Sequence, residues 1–364
     1  MNKVMILANN DVGLFKFRKE LLERLLLEYE VHIVVPDGEF VPEMVQLGCV
    51  FHNVELQRRG TNPVRDLVLL AKYRSILDEI APDVVLTYTI KPNIYGGIAC
   101  AEKGIPYITN ITGLGTAVEN NGLLQVITTT LYKIALRRAN KVFFQNVENL
   151  LFMKNRGIVG SNIDLLPGSG VNLKQYSFLP YPNSDSVDFF FVARVMKEKG
   201  IDQYLDAARY IREKYPFTRF HVCGSYDDDY EDILNTAVKA GDIIYHGLIK
   251  DMIPMYAMSC CTVHPTYYPE GMSNVLLESC ATGRPIITTD RPGCKEIVDD
   301  GVNGFVCRER DSQDLIEKIE QFLALTSEER AAMGRAARSK VEREFDRNIV
   351  VEKYEREIRK YGRI

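Results

Sequence analysis

Two glutamates eight residues apart form the clearest chemical pattern in the sequence. Glu270 and Glu278 stand in PEGMSNVLLESCATGRP, residues 269–285, with a glycine, a serine and an asparagine between them. The second glutamate lies in an apolar run typical of a short helix, which Ser273 or Asn274 would cap. The first amides of a helix bind phosphate oxygens, and a carboxylate on its second turn can accept the hydroxyls of a ribose. The pattern indicates a site that grips both ends of a nucleotide-sugar; the alternative is an exposed loop glutamate and a second one held in a salt bridge.

A pair of cations supports the same chemistry. Arg194 directly follows the apolar run DFFFVA, and Lys199 comes five residues later, before Gly200 and a helical pattern. A diphosphate suits this pair because arginine supplies a planar fork and lysine a point charge. The alternative is a solvated turn, in which Lys197 is an equally charged neighbour. Because the cations and the helix start agree on one ligand, we expect a diphosphate site.

The elements that position these residues follow from an alternation of apolar runs and helical patterns. Runs such as KVMILAN and VHIVVP in the first half, and DFFFVAR and RPIITTD in the second, are apolar on both faces. Such strands form parallel sheets with helices on both sides, so two series of them predict two doubly wound, Rossmann-like α/β domains facing a central cleft. Ligands bind at the carboxyl ends of such strands, where Arg194, Gly224 and Gly247 stand in the second series.

Composition predicts the domain boundaries. The segment LPYPNSDSVD is rich in proline, serine and aspartate and separates the two series of strands. After Arg310 the pattern is helical in three segments. We expect a first domain over 1–178, a linker over 179–188, a second domain over 189–340, and a C-terminal helix over 341–364 that packs back on the first domain.

Composition also restricts the class of protein. The chain has 364 residues, of which 46% are apolar and 26% charged, as in a globular protein of two domains. A net charge of −4 gives no attraction for nucleic acid, so we expect no such partner. The N-terminal MNKVMILANND predicts a strand rather than a signal peptide, and no apolar run is long enough to span a membrane. We therefore expect a cytoplasmic protein.

Metal-binding patterns are weak in this sequence. Its eight cysteines include no Cys-x-x-Cys pair and predict buried free thiols in a reducing compartment. The stretch YDDDYED, residues 226–232, has the aspartate spacing of a metal site, but we interpret it as the charged start of a helix. We expect no metal ion and no other cofactor.

Four longer motifs carry a resemblance that covers nearly the whole chain. PEGMSNVLLE with CATGRPIITTD, VARVMKEKGIDQYLDA, GVNGFVC and PGSGVNLKQY resemble the signatures of retaining glycosyltransferases of family four, which have the GT-B fold. Within that family, TIKPNIYGGIACAEKGIPYITNITGLG is most similar to bacterial enzymes that build capsule, O-antigen or lipid-linked oligosaccharides.

The resemblance implies a catalytic set and a donor-binding set. The catalytic residues would neutralise the leaving diphosphate and hold the donor sugar: Arg194, Lys199 and Glu270. The donor-binding residues would contact the rest of the nucleotide-sugar: Gly13, Gly224, Leu248, Ile249, Gly271, Met272, Ser273, Asn274 and Glu278. Among them, Glu278 would bind the ribose, the backbone at Leu248 and Ile249 would flank the base, and Gly13, in the loop after the first strand, would lie beneath the diphosphate.

The resemblance assigns the acceptor to the first domain and the donor to the second. Many members of the family have a histidine after the first domain's DVV strand, but DVVLTYTIKPN has none. Thr89, Lys91 and Asn93 are the polar candidates in its place. Lys16 and Arg18 in GLFKFRKE could bind an acceptor diphosphate or be helix-surface charge.

The reaction implied is the retaining transfer of a hexose or N-acetylhexosamine from a nucleoside-diphosphate sugar to a lipid-linked saccharide. UDP is expected rather than GDP, and an undecaprenyl-diphosphate-linked saccharide is the expected acceptor. Stabilisation of the departing diphosphate by Arg194 and Lys199 would take the place of Mg²⁺, and no protein nucleophile is required. The alternatives are a nucleotide-sugar epimerase of the same fold and a non-catalytic nucleotide-sugar-binding module.

One apolar helical stretch suggests a membrane surface. NITGLGTAVENNGLLQVITTTLYKIALRRANK ends in Arg137, Arg138 and Lys141. A helix that is apolar on one side and basic at its end suits the anionic inner leaflet of a bilayer. The alternative is a core helix whose terminal cations are favoured by the helix dipole. The resemblance to lipid-linked sugar transferases favours peripheral contact with the membrane.

Overall fold

The computed structural model describes residues 2–56, 62–115, 118, 122–226, 228–269 and 271–361. The chain divides into two compact units, Met1–Gly170 with Arg347–Ile364, and Val171–Asp346. It therefore leaves the first unit after Gly170 and returns at Arg347. The sequence predicts a boundary at 178, eight residues beyond Gly170.

The first unit is built on a parallel sheet. Within the described residues this sheet has seven strands in the order β3-β2-β1-β4-β5-β6-β7. The strands are β1 (Lys3–Leu7), β2 (Glu30–Val35), β3 (Val50–Asn53), β4 (Val84–Tyr88), β5 (Tyr107–Ile111), β6 (Lys141–Phe144) and β7 (Ile163–Leu165). The helices between them are α1 (Asp11–Leu25), α2 (Val41–Leu47), α3 (Pro63–Ile80), α4 (Gly97–Lys103), α5 (Leu123–Leu136) and α6 (Val147–Asn155). A π-helical turn, Pro92–Gly96, leads into α4.

The second unit repeats this architecture. Its described part has a six-stranded parallel sheet in the order β10-β9-β8-β11-β12-β13. The strands are β8 (Val187–Val192), β9 (Thr218–Cys223), β10 (Ile244–Gly247), β11 (Cys261–His264), β12 (Ile286–Thr289) and β13 (Gly304–Cys307). The helices are α7 (Ile201–Lys214), α8 (Glu231–Ala240), α9 (Ile253–Met258), α10 (Asn274–Ala281), α11 (Ser312–Leu323) and α12 (Ser327–Glu344). Two Rossmann-like α/β units confirm the predicted fold class.

The central strands are apolar on both faces because helices cover both sides of each sheet. In β8, Phe189 and Phe191 belong to the core cluster that includes Leu205 of α7 and Leu315 of α11. Phe190 and Val192 alternate to the other face. That second face carries residues of α9 and α10, and it is the face that matters for the site.

The last helix, α13 (Arg347–Ile358), belongs to the first unit. Its Tyr354 is fully buried, has its ring centroid 5.0 Å from that of Phe143, and accepts a hydrogen bond of 2.7 Å from Asn110 Nδ2. The three helical segments predicted after Arg310 are α11, α12 and α13. The chain returns to the first unit at 347 rather than at the predicted 341, because α12 continues to Glu344.

The segment predicted to be a linker is fixed on the second unit. The amide of Leu179 donates to Thr282 O at 3.2 Å, and the phenol of Tyr181 donates to Cys260 O at 3.0 Å. The fully buried Arg284 donates from Nη2 to Pro180 O at 2.8 Å. Proline, serine and aspartate are frequent here because most of the segment is neither helix nor strand. Its hydrogen bonds are made with neighbouring loops and helices.

Candidate active site

The carboxyl ends of the strands in the second unit bring most of the predicted site residues to one edge. Arg194 follows β8, Gly224 follows β9, Gly247 ends β10, and the segment that follows β11 leads to the start of α10. Because all these strands are parallel, their carboxyl ends lie on the same side of the sheet. The predicted convergence of these residues is present within this unit.

The two cations of the loop after β8 differ from their neighbour in environment. Arg194 is half-buried, and within the described ranges no hydrogen bond or ion pair engages its guanidinium. Lys199 is half-buried with its ammonium 4.8 Å from the ring centroid of Tyr268, whereas Lys197 is exposed. A half-buried arginine without a carboxylate partner is suited to an anionic ligand.

Close backbone packing holds Lys199 against the segment after β11. Gly200 has φ +78°, and a Cβ at this position would lie 2.1 Å from Pro265 O. Thr266 Oγ1 and the amide of Tyr267 both donate to Glu198 O, at 3.2 and 2.9 Å. The loop carrying the cations is therefore fixed to the loop that leads to α10.

Gly224 is the second position at which only glycine fits. Its φ is +149°, and a Cβ would lie 1.8 Å from Ala193 O. Its amide donates to Gly247 O at 2.8 Å. The ends of β8, β9 and β10 therefore touch through their backbones.

Helix α10 begins where the sequence predicts, but no side-chain hydrogen bond caps its start. Ser273 occupies the N-cap position without a side-chain cap hydrogen bond, and its amide donates to Gly293 O at 2.8 Å. Asn274 is half-buried, and its Oδ1 has no partner among the described residues. Met272 packs its side chain into the core and Gly271 is buried, so only backbone at these two positions can face a ligand. Ser273, one of the two predicted N-cap residues, is therefore the N-cap, although its side chain makes no cap hydrogen bond.

Glu278 is half-buried on the second turn of α10 rather than enclosed in the apolar run. The phenol of Tyr256 in α9 donates to Glu278 Oε2 at 3.1 Å. Burial, together with the Glu278 carboxylate, raises the pKa of Tyr256 well above its usual value, so this phenol stays a donor. Sequence analysis misses Tyr256 because nothing in MIPMYAM distinguishes it from a core aromatic.

His264 is a further residue that sequence analysis misses. It ends β11, is 1% exposed, and both of its ring nitrogens lack a partner within the part of the chain that the structure describes. Burial and the nearby Lys199 cation hold its pKa well below the usual value, so the ring is neutral. The only sequence signal is a histidine at the last position of an apolar run, CCTVHP.

Two predicted site features lie partly or wholly outside the described residues. Glu270 is one of them. In the YDDDYED stretch, the placement of Asp227 is likewise not described. Among the residues that are described, no group of three histidine, cysteine, aspartate or glutamate side chains could hold a metal ion. All eight cysteines are buried free thiols. Leu248 and Ile249 follow β10, the former exposed and the latter half-buried.

The first unit corrects the prediction for Gly13. This residue lies in the first turn of α1 rather than in a loop, and its amide donates to Asn10 Oδ1 at 2.5 Å. Asn10 caps the helix and Asp11 stabilises its positive end, so α1 begins before the apolar pattern does.

Lys16 and Arg18 on α1 have different surroundings. Lys16 is exposed, with its ammonium 5.7 Å from the ring centroid of Phe40. Arg18 is 4% exposed, lies 5.0 Å over the ring of Tyr88 and donates from Nη1 to Phe17 O at 2.8 Å. Arg18 is therefore buried against Tyr88, whereas Lys16 is exposed.

The candidates after β4 are also differently placed. Lys91 forms a 2.7 Å ion pair with Asp66, which also accepts a hydrogen bond of 2.9 Å from Tyr95. Asn93 is buried and donates to Asn110 O at 2.9 Å. Thr89 is half-buried with φ +71°, a rare conformation for a β-branched residue. Of the three, Thr89 is the one whose strained backbone is typical of a functional position.

Apolar side chains are exposed on the helices that cover one face of the first sheet. On α3 they are Val64, Leu67 and Val68. On α5 they are Leu123, Leu124, Val126, Ile127 and Ile134. No helix in the described ranges has the length and apolarity to cross a bilayer.

Comparisons with known proteins match both units. The model "Glycosyl transferase 4-like" matches residues 3–146, and the model "Glycosyl transferases group 1" matches residues 180–340. The chain is 24% identical to the N,N'-diacetylbacillosaminyl-diphospho-undecaprenol alpha-1,3-N-acetylgalactosaminyltransferase of Campylobacter jejuni, with 97% of each chain covered. It is 25% identical to the capsular polysaccharide biosynthesis glycosyltransferase CapM of Staphylococcus aureus, with 96% of this chain and 94% of that one covered.

The fold is shared with solved structures of low sequence identity. The crystal structure of HepE from Anabaena in complex with UDP and glucose has a TM-score of 0.79 at 16% identity, and covers 98% of this chain and 99% of that chain. With glycosyltransferase models matching each of its two units, the chain belongs to the glycosyltransferases of the 4-like and group 1 type and has their GT-B fold.

Proposed function

We propose that this glycosyltransferase moves a hexose or N-acetylhexosamine from a UDP-sugar to a saccharide linked to undecaprenyl diphosphate, with retention of configuration. The observation that carries the proposal is the carboxyl edge of the second unit. There Arg194, which has no partner among the described residues, and Lys199 lie in the loop after β8, which is hydrogen-bonded to the loop that leads to α10. A departing diphosphate is stabilised by such a preorganised set of cations and helix amides.

The remaining donor contacts follow from the same edge. Glu278, held by the Tyr256 phenol, accepts the ribose hydroxyls. The amides of Met272 and Asn274 face the sugar and the phosphates, whereas that of Ser273 is bonded to Gly293 O, and Glu270 holds the sugar hydroxyls. In this proposal the cations supply the charge stabilisation that a metal ion provides elsewhere, so transfer continues in EDTA.

The acceptor class is supported by the relatives. The Campylobacter enzyme is named for a diphospho-undecaprenol substrate and the Staphylococcus enzyme for capsular polysaccharide. On this chain, exposed Lys16 and strained Thr89 are the acceptor contacts we retain. Both lie at the carboxyl edge of the first sheet, Lys16 on α1 and Thr89 directly after β4.

Peripheral membrane contact forms part of the proposal. Most of the exposed apolar side chains of α3 and α5 lie in the first turns of these helices, and Lys133, Arg137 and Arg138 are exposed at the far end of α5, near Ile134. Apolar side chains that enter the interface, with cations facing anionic headgroups, are the features of a protein that binds the surface of the cytoplasmic leaflet.

A donor panel tests the reaction. The full chain is mixed with UDP- and GDP-sugars, binding is followed by thermal stabilisation, and transfer to a synthetic lipid-diphosphate-linked saccharide is followed by mass spectrometry. We expect a UDP-sugar to stabilise the protein and to be transferred in EDTA, with the donor's anomeric configuration retained in the product's NMR spectrum. Stabilisation by GDP-sugars alone, or an inverted product, would contradict the proposal. Interconversion of the donor sugar without acceptor would instead identify an epimerase.

A further inference from the structure

Three strands of the second unit carry a chain of hydrogen-bonded side chains that the proposed mechanism does not use. Asp188 on β8 contacts His221 on β9, with 2.9 Å between Oδ1 and Nε2. His221 contacts His246 on β10, with 2.9 Å between Nδ1 and Nε2. Asp188 and His221 are buried and His246 is half-buried. The chain runs diagonally across the sheet and ends at the carboxyl end of β10.

The direction of the hydrogen bonds follows from the buried carboxylate. Burial raises the pKa of Asp188, but hydrogen bonds from His221 and Ser186 outweigh it and hold the pKa below its usual value. An ionised carboxylate only accepts, so His221 donates from Nε2; in the tautomer with a single ring hydrogen, its Nδ1 then accepts from His246. His246 must then donate from Nε2, which leaves its Nδ1 as a hydrogen-bond acceptor.

The orientation of His246 is fixed by packing. The ring of Phe190 stacks on His221 with centroids 4.3 Å apart and planes at 1°, and His246 continues the stack at 5.2 Å from His221. Burial and the neighbouring His221 lower the pKa of His246, which favours its neutral form. Within the part of the chain that the structure describes, Nδ1 of His246 makes no hydrogen bond.

The surface beside His246 is apolar and partly open. It consists of half-exposed side chains packed over Phe190, Val192 and Cys223, namely Ile249, Met252, Met255 and Val275. Val275 lies one turn before Glu278 on α10, and Leu248, next to Gly247, is 72% exposed. Ligand sites typically combine such an apolar lining with a few placed polar groups.

We propose that His246 recognises the base of the donor: its Nδ1 accepts the hydrogen on N3 of uracil while the ring lies on this apolar surface. The inference rests on the proposed UDP-sugar donor and on Glu278 as the ribose ligand. Uracil has a hydrogen at N3, whereas cytosine has a lone pair there, so a fixed acceptor selects between the two pyrimidines. A base without a hydrogen at N3 would leave this acceptor unpaired, and the free-energy cost of the unpaired acceptor excludes that base.

Two variants of His246 separate recognition from structure. The carboxamide of His246→Gln keeps a donor at the Nε2 position, for His221, but has no group at the Nδ1 position. The shorter His246→Asn places its carbonyl oxygen near the Nδ1 position and loses the contact with His221. If His246 acts only through packing, the glutamine variant should lose less affinity for UDP than the asparagine variant. If Nδ1 accepts from the base, the asparagine variant should lose less.

The first unit offers a matched control. There Glu30, His32 and His52 are arranged similarly: His32 Nδ1 lies 3.0 Å from His52 Nε2 in a hydrogen bond, and His32 Nε2 lies 2.9 Å from Glu30 Oε1 without hydrogen-bond geometry. His52→Gln makes the same chemical change at the same place in the other Rossmann-like unit, so it should leave binding of the base unchanged.

The experiment measures binding of UDP, CDP and N3-methyl-UDP to the full chain by calorimetry at pH 7.5. We expect the native chain and His52→Gln to bind UDP about 10-fold more tightly than either analogue. In His246→Gln the affinity for UDP should fall about 5- to 10-fold, and most of the preference for UDP over the analogues should be lost. His246→Asn should retain part of that preference. Native affinity for UDP in His246→Gln, or an unchanged preference, overturns the inference alone. A native chain that binds no UDP overturns the proposed donor as well.

Discussion

At the scale of single residues, two lysines in one short turn provide the sharpest test of the diphosphate site. Lys199 is half-buried against Tyr268 in the loop that carries Arg194, whereas Lys197 is exposed. We expect Lys199→Ala to lower kcat/KM by about 100-fold or more, because a preorganised charge on the leaving group is lost, and Lys197→Ala to change it by less than about 3-fold. Steady-state release of UDP measures both. Equal losses in the two variants would contradict the assignment of Lys199.

The Tyr256–Glu278 pair predicts an effect on donor binding. Tyr256→Phe removes the phenol that donates to Glu278 Oε2 and leaves the ring to fill its buried space. We expect the KM for the donor to rise about 3- to 10-fold with little change in kcat, because the hydrogen bond to the carboxylate orients a group that binds substrate and transition state equally. An unchanged KM, or a fall confined to kcat, would show that the pair does not act on the ribose.

The same residues show what a sequence can predict about a site. The positions of Arg194, directly after β8, and of Glu278, on α10, were predictable because the strand and the helix have strong patterns. Arg18 and Tyr256 were not, since only tertiary packing decides that one charged side chain is buried and that one aromatic residue meets a carboxylate. His246 is intermediate: its place at a strand end is visible, but its partners come from two other strands.

At the scale of elements, helix α5 combines features of both interpretations of its sequence, since Tyr132 and Leu136 are in the core. A core helix would bury its apolar side chains, but Leu123, Leu124, Val126 and Ile127 are all exposed in its first turns. The sequence could not show this because apolar side chains lie on more than one side of the helix, so their pattern does not fix which side packs on the sheet. The start of α1, by contrast, can be predicted from the sequence, since Asn10 followed by Asp11 is a typical capping pattern.

Exposure of α5 predicts reversible membrane binding. We expect the double variant Leu124→Ser, Ile127→Ser to lower partitioning onto vesicles of phosphatidylethanolamine and phosphatidylglycerol by about 10-fold or more, because two apolar side chains no longer enter the interface. Vesicle co-sedimentation measures it. Ile233→Ser with Val238→Ser on α8, also exposed, is the matched control and should bind normally. Equal partitioning of the two double variants would exclude α5 as the contact.

At the scale of the whole molecule, the boundary between the two units is set where the chain leaves the first unit, after Gly170, and returns to it, at Arg347, rather than by the predicted linker. Gly170 has φ +64°, and a Cβ there would lie 2.5 Å from Arg347 Cα. Arg347 donates to Gly170 O at 3.1 Å and forms a 2.9 Å ion pair with Glu20. Composition identified 179–188 as irregular, but the boundary lies where these backbone contacts are, and no local pattern marks it.

This crossing predicts a large effect of one methyl group. We expect Gly170→Ala to lower the free energy of unfolding by about 3 kcal/mol, because left-handed strain adds to a clash with backbone that cannot move aside. Gly157→Ala is the control: its φ is +60° with no atom within 4 Å of the added Cβ, so strain alone should cost about 1 kcal/mol. Urea unfolding measures both. Equal losses would mean that the contact with Arg347 relaxes freely.

The return of the chain at Arg347 also sets an order of events during synthesis. Helix α13 supplies Tyr354, which is fully buried against Phe143 and Asn110 in the first unit. A ribosome must therefore translate all of Val171–Asp346 before the segment that fills this part of the earlier core exists. Domains fold as they emerge. Here, however, the first unit emerges first but can complete its core only last, and the inserted second unit can already be folded when α13 packs onto the first unit.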